Sequence, residues 1–407
     1  MTGTALGQII ALAFSVIVSR LYSPEDFATL EHFAMLLGIL GVVAAGRYEA
    51  AIMLPKDHQD AYQLLRLVFR VAFWFSVAIA VLTLVFANPI SIALGNPQMP
   101  SVLWLTGPVV FLFAVTTGLQ YWFGRLKTYR TVATSKTLFS LISEPLKVGF
   151  SKLIQGGIGL SAAVSAGHAV SAGYAWWKFK RSNEARTLVF DKKRMREVAL
   201  EYKDYPRFSA PGTLLNRLSQ WSHIALFGAL YGEPGLIVIG FMGLARRVVL
   251  GPLSMIANSF SQVYFQRITE IDDNELKGYY VRSLRQFLLL GFAIIAVVWL
   301  LPDKTMAVIF GQEWYESLEY LRILVFWFAA NFTASSLSFI MHRIRRQKQI
   351  LLLDALHFAL ILIALLAAWF AGLDAKSAIA VFVAAKVIYF IFNVLITLRF
   401  LSALKNE

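Results

Sequence analysis

The sequence predicts an all-α membrane protein of about twelve transmembrane helices, arranged as two six-helix bundles, parallel pseudo-repeats, around a central cavity. Three observations lead there. Of the 407 residues, 58% are hydrophobic and only 15% are charged, with a mean hydropathy of +0.62, whereas soluble domains carry about 25% charged residues. Apolar runs of about 20 residues, enough to cross a bilayer as helix, recur from end to end, without the ten-residue alternation of an outer-membrane barrel. The two halves also share matched positions at a constant offset, described below. The formal charge of +14 would suggest nucleic acid in a soluble chain. Here the basic residues gather at helix ends, where lipid head groups and topology account for them, so no nucleic-acid partner is expected. The chain has no cysteine, which excludes disulfides, thiol catalysis and cysteine metal sites.

Taken in order, the apolar runs place spans at 2–20, 27–47, 67–87, 101–122, 131–151, 158–177, 208–231, 236–265, 284–301, 319–341, 350–371 and 378–401. The first has no cationic lead and no small-residue cleavage pattern, so it reads as a span and not as a removable signal. It opens with hardly a polar residue before it, and a natural start further upstream is expected. Connections after the even-numbered spans hold most of the 38 Lys and Arg, ten of them within 178–207. The alternate connections carry Arg20, Lys152, Lys304 and Lys376. The positive-inside rule then places both termini in the cytoplasm. The basic stretch 178–207, with Lys192, Lys193, Arg194 and Arg196, reads as an amphipathic linker on the anionic inner leaflet. It divides an N-terminal six-helix lobe, 1–177, from a C-terminal one, 208–407.

Gly3-Thr4 opens the first span and Leu21-Tyr22 closes it; Gly212-Thr213 and Leu230-Tyr231 do the same for the seventh, at an offset of 209 residues. The following Ser-Pro-Glu-Asp and Gly-Glu-Pro also correspond. An even number of spans per repeat puts both halves in the same orientation, with a cavity between them.

Polar residues three or four apart share a helix face. In span eight Arg247, Gly251, Ser254, Asn258 and Ser261 follow one line with Arg246 beside it. Span seven gives Asn216, Gln220 and His223 with Arg217 adjacent; span six Ser161, Ser165 and His168; span ten Asn331, Ser335 and Ser338; span twelve Lys386, Asn393 and Thr397; span five Ser140, Glu144, Lys147 and Ser151. Serine and asparagine lines serve interhelical packing as readily as a cavity. Glu144 and Lys147 read as a mutually neutralising pair, lone His168 and His223 as core residues or proton relays, and Arg217 as a side chain near enough to its helix end to snorkel. Arg246, Arg247 and Lys386 lie too deep for that. A charged side chain at membrane depth costs about 2.5 kcal/mol or more, and it faces a protein interior or a wet cavity. Unpaired cations in a cavity call for an anion, and guanidinium groups suit phosphate through bidentate hydrogen bonds. By the helical count Arg247 continues the polar line and faces the cavity, while Arg246 braces a neighbouring helix.

The blocks SRLYSPEDFATL and GRYEAAIMLPKDHQDAYQL, and in the second half YPRFSAPGTLLNRLSQ and GFMGLARRVVLGPLSMIANSFSQVYFQR, resemble the polysaccharide-transporter flippases of the multidrug/oligosaccharidyl-lipid/polysaccharide exporter superfamily. The resemblance covers nearly the whole chain. It implies two six-helix bundles around a cavity, and alternating-access transfer of undecaprenyl-diphosphate-linked oligosaccharide across a bacterial inner membrane. The pathways implied are polysaccharide and O-antigen (lipopolysaccharide) biosynthesis. It carries over positions and no catalytic residue: Arg47-Tyr48-Glu49 at the end of span two, and Arg246 or Arg247 with Pro252 in span eight. The short start of span one departs from the family's longer lead. The expected substrate-binding cations are therefore Arg247, Arg246, Lys386, Arg217 and Arg47. Groups available for ion coupling or polar lining are Glu49, Glu144, Lys147, His168, His223 and Asn258, with Asp354 also titratable. Expected partners are the lipid-linked oligosaccharide, membrane lipids and other polysaccharide-assembly proteins; no cofactor or metal is expected.

Two other functions compete. A cation-coupled drug or small-solute exporter would use the same scaffold, but cationic drugs favour an acidic cavity and the deep charges here are mostly basic. A membrane polymerase or acyltransferase would need a large outer loop or a His/Asp motif. The longest outer loop runs only from Pro302 to Leu318, and none of the six histidines has an Asp five positions later.

Overall fold

The computed structural model describes residues 2–182, 184, 187–344 and 346–403. Six helices, Thr2–Val18, Pro24–Val43, His58–Val85, Thr106–Arg125, Tyr129–Phe150 and Gly157–Arg181, form the first half. After a short helix, Lys192–Glu201, a helical run of 66 residues extends from Tyr205 to Glu270. It is broken at Gly232, whose φ of 56° and ψ of −132° only glycine adopts without strain. The chain continues with Asp273–Trp299, Ser317–Ser336, Gln347–Phe370 and Ala375–Ala403. Dividing the long run at Gly232 gives twelve rods among the described residues. Seven helices, the long run counted once, are apolar and long enough to cross a membrane. Tyr129–Phe150 and Gly157–Arg181 are more polar, and several of their polar residues, among them Ser135, Ser143, Glu144, Lys147, Ser161 and Ser165, are buried in the protein.

The matched sequence positions have a local cause. Ser23 caps the second helix, accepting from the Asp26 N–H at 3.3 Å while Asp26 accepts from the Ser23 N–H at 3.2 Å, with Pro24 in the first turn. In the second half Gly232 makes the turn and Pro234 stands just inside the helix that follows. Both second spans therefore start sharply and run back toward the end of the bundle that carries the helix Lys192–Glu201, here the linker end.

One apolar core draws on the first half and the linker helix, around Phe33, Leu64, Val110 and Trp122, and another only on later residues, around Tyr264, Phe287 and Met341. A third joins both halves through Phe27, Phe227, Ile239 and Trp314. This joint is tightest at the end opposite the linker. A Cβ on Gly240 would lie 2.1 Å from the Pro24 carbonyl oxygen, so the second and eighth spans meet there backbone to backbone. Nearby, Arg20 donates to the Val308 carbonyl at 2.7 Å and to Ile309, Ser19 donates to Phe310 at 3.0 Å, and the Trp314 indole N–H donates to Ser19 at 2.7 Å.

Two expectations are corrected here. The third helix starts at His58, nine residues before the expected 67: its polar first turns extend beyond the apolar run because they hold the linker. There Arg194 donates to both oxygens of Asp60, at 2.7 and 2.6 Å. The linker helix is capped by Asp191, which accepts from the Lys193 and Arg194 N–H groups. It is amphipathic as expected, but Met195 and Val198 are buried against the first-half core. Protein, and not lipid, covers its apolar face.

Overpacking typically costs about 1–3 kcal/mol. Gly240→Ala is expected to lower the unfolding midpoint of the purified protein accordingly, while Gly278→Ala, with nothing within 4 Å, leaves it unchanged or slightly raised. Equal midpoints for the two variants would contradict the close joint.

Candidate functional site

A cavity of about 690 Å³ lies between the halves. Its lining comes from the middle and linker-side parts of the spans: Gln8, Glu31, Thr116, Gln120, Lys136, Ser140, Glu144, His168, Ser171, Arg246, Arg247 and Ser254. A second cavity of about 550 Å³ lies within the second half, lined by Asn216, Arg217, Gln220, Asp354, His357, Lys386, Tyr389 and Asn393 among others. The two meet at Trp221, Arg246, Leu250 and Asn331, which line both.

The two arginines owe their placement to a wide turn. Residues Arg246–Leu250 form a π-helix between the α-helical parts of the span, and a π-turn takes in one more residue than an α-turn. That extra residue shifts the register, so Arg246 and Arg247 both reach the inter-lobe cavity. The expected polar line holds only in part. Gly251 and Ser254 still line the cavity, but Asn258 is exposed and lines neither one. Arg247 lines the inter-lobe cavity and Arg246 braces the second span through Glu31, but Arg246 also lines both cavities.

Arg246 donates to Glu31 at 2.8 Å across the two halves, with its guanidinium 4.3 Å from the Trp221 ring centre. Glu144 and Lys147 pair at 2.5 Å, both buried. Lys147 lies within electrostatic reach of Arg247 and Glu31. The two carboxylates on the cavity wall are thus each taken by a cation. Arg247 lies 5.4 Å from the Phe27 ring centre and, with Lys136, has no ion-pair partner among the described residues. Four cations, Lys136, Lys147, Arg246 and Arg247, stand against two carboxylates, leaving two positive charges uncompensated when all are ionised.

The other expected residues are dispersed. Lys386 and Arg217 line the second cavity and not the inter-lobe one. Arg47 lines neither; it adopts a left-handed φ of 64° at the linker end and pairs with buried Glu49 at 3.1 Å. His168 lines the inter-lobe cavity, its ring 4.6 Å from that of Phe139. His223 is fully buried, stacked 4.9 Å from Phe382, and lines neither cavity. Among the described residues no group of three His, Cys, Asp or Glu could hold a metal.

Glu31 and Lys136 were not among the expected residues. Lys136 was legible: it continues the line of Ser140, Glu144 and Lys147 one turn back. Glu31, a lone carboxylate inside an apolar span, carried the same signal as the deep arginines with the opposite sign.

A family model described as "Polysaccharide biosynthesis protein" matches residues 17–319. The chain belongs to that family. No curated protein matches significantly. Among solved structures, an inward-facing multidrug resistance MATE family transporter of the MOP superfamily superposes with a TM-score of 0.75 at 14% identity, covering 98% of this chain and 96% of that one. The lipid II flippase MurJ in an inward closed conformation gives 0.72 at 13% identity, over 99% and 89%. An outward-facing MATE family transporter gives 0.63 at 16% identity, over 99% and 94%. This member of the polysaccharide biosynthesis family is therefore a multi-pass membrane protein with the two-lobe fold of those transporters.

Removing one partner of a buried ion pair costs more than removing both. Glu31→Gln and Arg246→Gln are each expected to destabilise the protein more than Glu31→Met with Arg246→Met. A double-mutant cycle should give a coupling of about 1 kcal/mol or more in favour of the pair, and additive effects would show that the contact carries no energy.

Proposed function

We propose that the protein is a flippase that moves a lipid-linked oligosaccharide, carried on undecaprenyl diphosphate, from the inner to the outer leaflet of a bacterial inner membrane. It is a transporter and not an enzyme. The observation that carries this reading is the pair of unpaired cations, Arg247 and Lys136, in a cavity whose two carboxylates are already engaged. A diphosphate diester carries two acidic groups, which complements the two uncompensated charges. Guanidinium and ammonium donors give it charge-assisted hydrogen bonds, and the polar lining of Gln8, Thr116, Gln120 and Ser140 offers partners to sugar hydroxyls.

The linker end is the cytoplasmic side on this reading, since most of the Lys and Arg gather there. The lobes are 1–177 and 208–407, with 178–207 as the cytoplasmic linker, and both termini are cytoplasmic. The described conformation, sealed opposite the linker, is then inward-facing and ready to load. Rocking of the lobes about the seal would release the head group outside while the polyprenyl tail stays in lipid. An inside-negative potential assists, by about 2.3 kcal/mol per charge per 100 mV. A drug exporter on the same scaffold fits less well, because a net positive cavity repels cationic drugs.

In cells that depend on this protein for surface glycan, Arg247→Ala combined with Lys136→Ala is expected to cut export about tenfold or more, the scale of lost charge-assisted contacts. The lipid-linked intermediate should accumulate on the inner leaflet while membrane abundance of the protein is unchanged. Normal surface glycan in the double variant would sink the proposal.

A further inference from the structure

The second cavity, enclosed by spans seven to twelve, is not needed for the reading above. Lys386 projects into it and is only 5% exposed. Its ammonium rests 5.1 Å from the Trp327 ring centre and 5.3 Å from that of Phe382. Ring faces favour a cation without neutralising it, and no carboxylate reaches it within ion-pair distance among the described residues. Asp354, the one carboxylate on the wall, makes no ion pair with it. A like charge, Arg246, lies within electrostatic reach of Lys386 and lines the same cavity, and its own counter-ion Glu31 belongs to the other lobe.

A buried cation without a partner costs several kcal/mol, and a second cation beside it adds to that cost. The wall around it is polar and donor-rich: His357, Tyr389 and Asn393 share the cavity, and the His357 Nε2 has no hydrogen-bond partner. At about 550 Å³ the space far exceeds what a halide fills. An anion with several oxygens can accept from ammonium, guanidinium and amide donors together.

We propose that this cavity is a second anion site, distinct from the inter-lobe one, which takes a small phosphate-class oxyanion against Lys386 and the inner edge of Arg246. The anion supplies the counter-charge that the protein lacks there. Because Arg246 forms the common wall, an occupant on this side reaches the same guanidinium that Glu31 holds from the other lobe.

Phosphate of this kind could come from free solution or from a lipid diphosphate, and the test separates the two. The full chain, in nanodiscs of uncharged lipid at constant ionic strength, is titrated with inorganic phosphate while its thermal unfolding midpoint is read; a ligand that binds only the folded state raises it. A saturable rise is expected. Lys386→Gln should weaken the apparent affinity about tenfold or more, the scale of one charge-assisted contact. Lys386→Arg should retain the rise, and in Arg247→Gln, which alters the inter-lobe site, a Lys386-dependent rise should persist. The proposal is overturned if Lys386→Gln keeps the wild-type response, if Arg247→Gln removes it, or if chloride gives the same rise. A second measurement uses the wild-type chain alone. Phosphate must add to the rise already produced by saturating geranyl diphosphate; no added rise, or a Lys386-dependent response to geranyl diphosphate alone, would make the cavity an extension of the head-group site. Failure here leaves the flippase reading standing, because that reading rests on Arg247 and Lys136.

Discussion

The ion pair of Arg246 with Glu31 is the constraint around which the centre of the molecule is arranged. In a low-dielectric interior the cost of an uncompensated charge exceeds most packing terms, and both carboxylates of the inter-lobe cavity have found a cation: Glu31 takes Arg246 and Glu144 takes Lys147. What remains after that pairing is an excess of positive charge, and its position decides the chemistry of the two cavities. Had either carboxylate been free, a cationic cargo would be a reasonable occupant. Because both are engaged, the surplus is positive, and the proposal of an anionic cargo rests on it.

The same pair ties the lobes together where their cavities meet. Glu31 comes from the second span and Arg246 from the eighth, and Trp221 of the seventh stacks on the guanidinium. Any motion that separates these spans must either carry the pair along or give each ion another partner. An arriving phosphate is a natural replacement for Glu31, and water in the opened cavity a natural replacement for Arg246. On the proposed reading, loading and lobe separation would compete for one guanidinium.

Much of this was legible in the sequence because membrane helices write their lengths plainly. Twelve apolar runs, the sharp start at Ser23-Pro24 and its counterpart at Gly232-Glu233-Pro234 locate the spans to within a few residues, except where polar first turns extend a helix, as at His58. The side-chain faces were less legible. A line drawn at 3.6 residues per turn passed through Asn258, which shares its helix with Gly251 and Ser254 but lies outside the cavity lining; and nothing in RRVVL announces the wide turn at Arg246–Leu250. Tertiary partners were hidden for another reason. Glu31 and Arg246 are 215 positions apart, and helical periodicity says nothing about which helices adjoin. Lys386 and Arg247 looked like members of one cluster on depth alone, whereas their helices direct them into separate spaces. The linker was read correctly as amphipathic, but amphipathicity alone does not say whether lipid or protein covers the apolar side.

The seal opposite the linker has a property that follows from its atoms. Arg20 and Ser19 donate to the carbonyls of Val308, Ile309 and Phe310, which end the short helix Thr305–Phe310 and have no acceptor role left inside it. These are neutral acceptors, those of Val308 and Ile309 exposed and that of Phe310 buried, and water can take over each of them on separation at a net cost of only about 0.5–1.5 kcal/mol apiece. Ion pairs buried at this place would have made a lock. Carbonyls at a helix terminus make a clasp instead, able to open and re-form through many cycles with the solvent as its temporary partner.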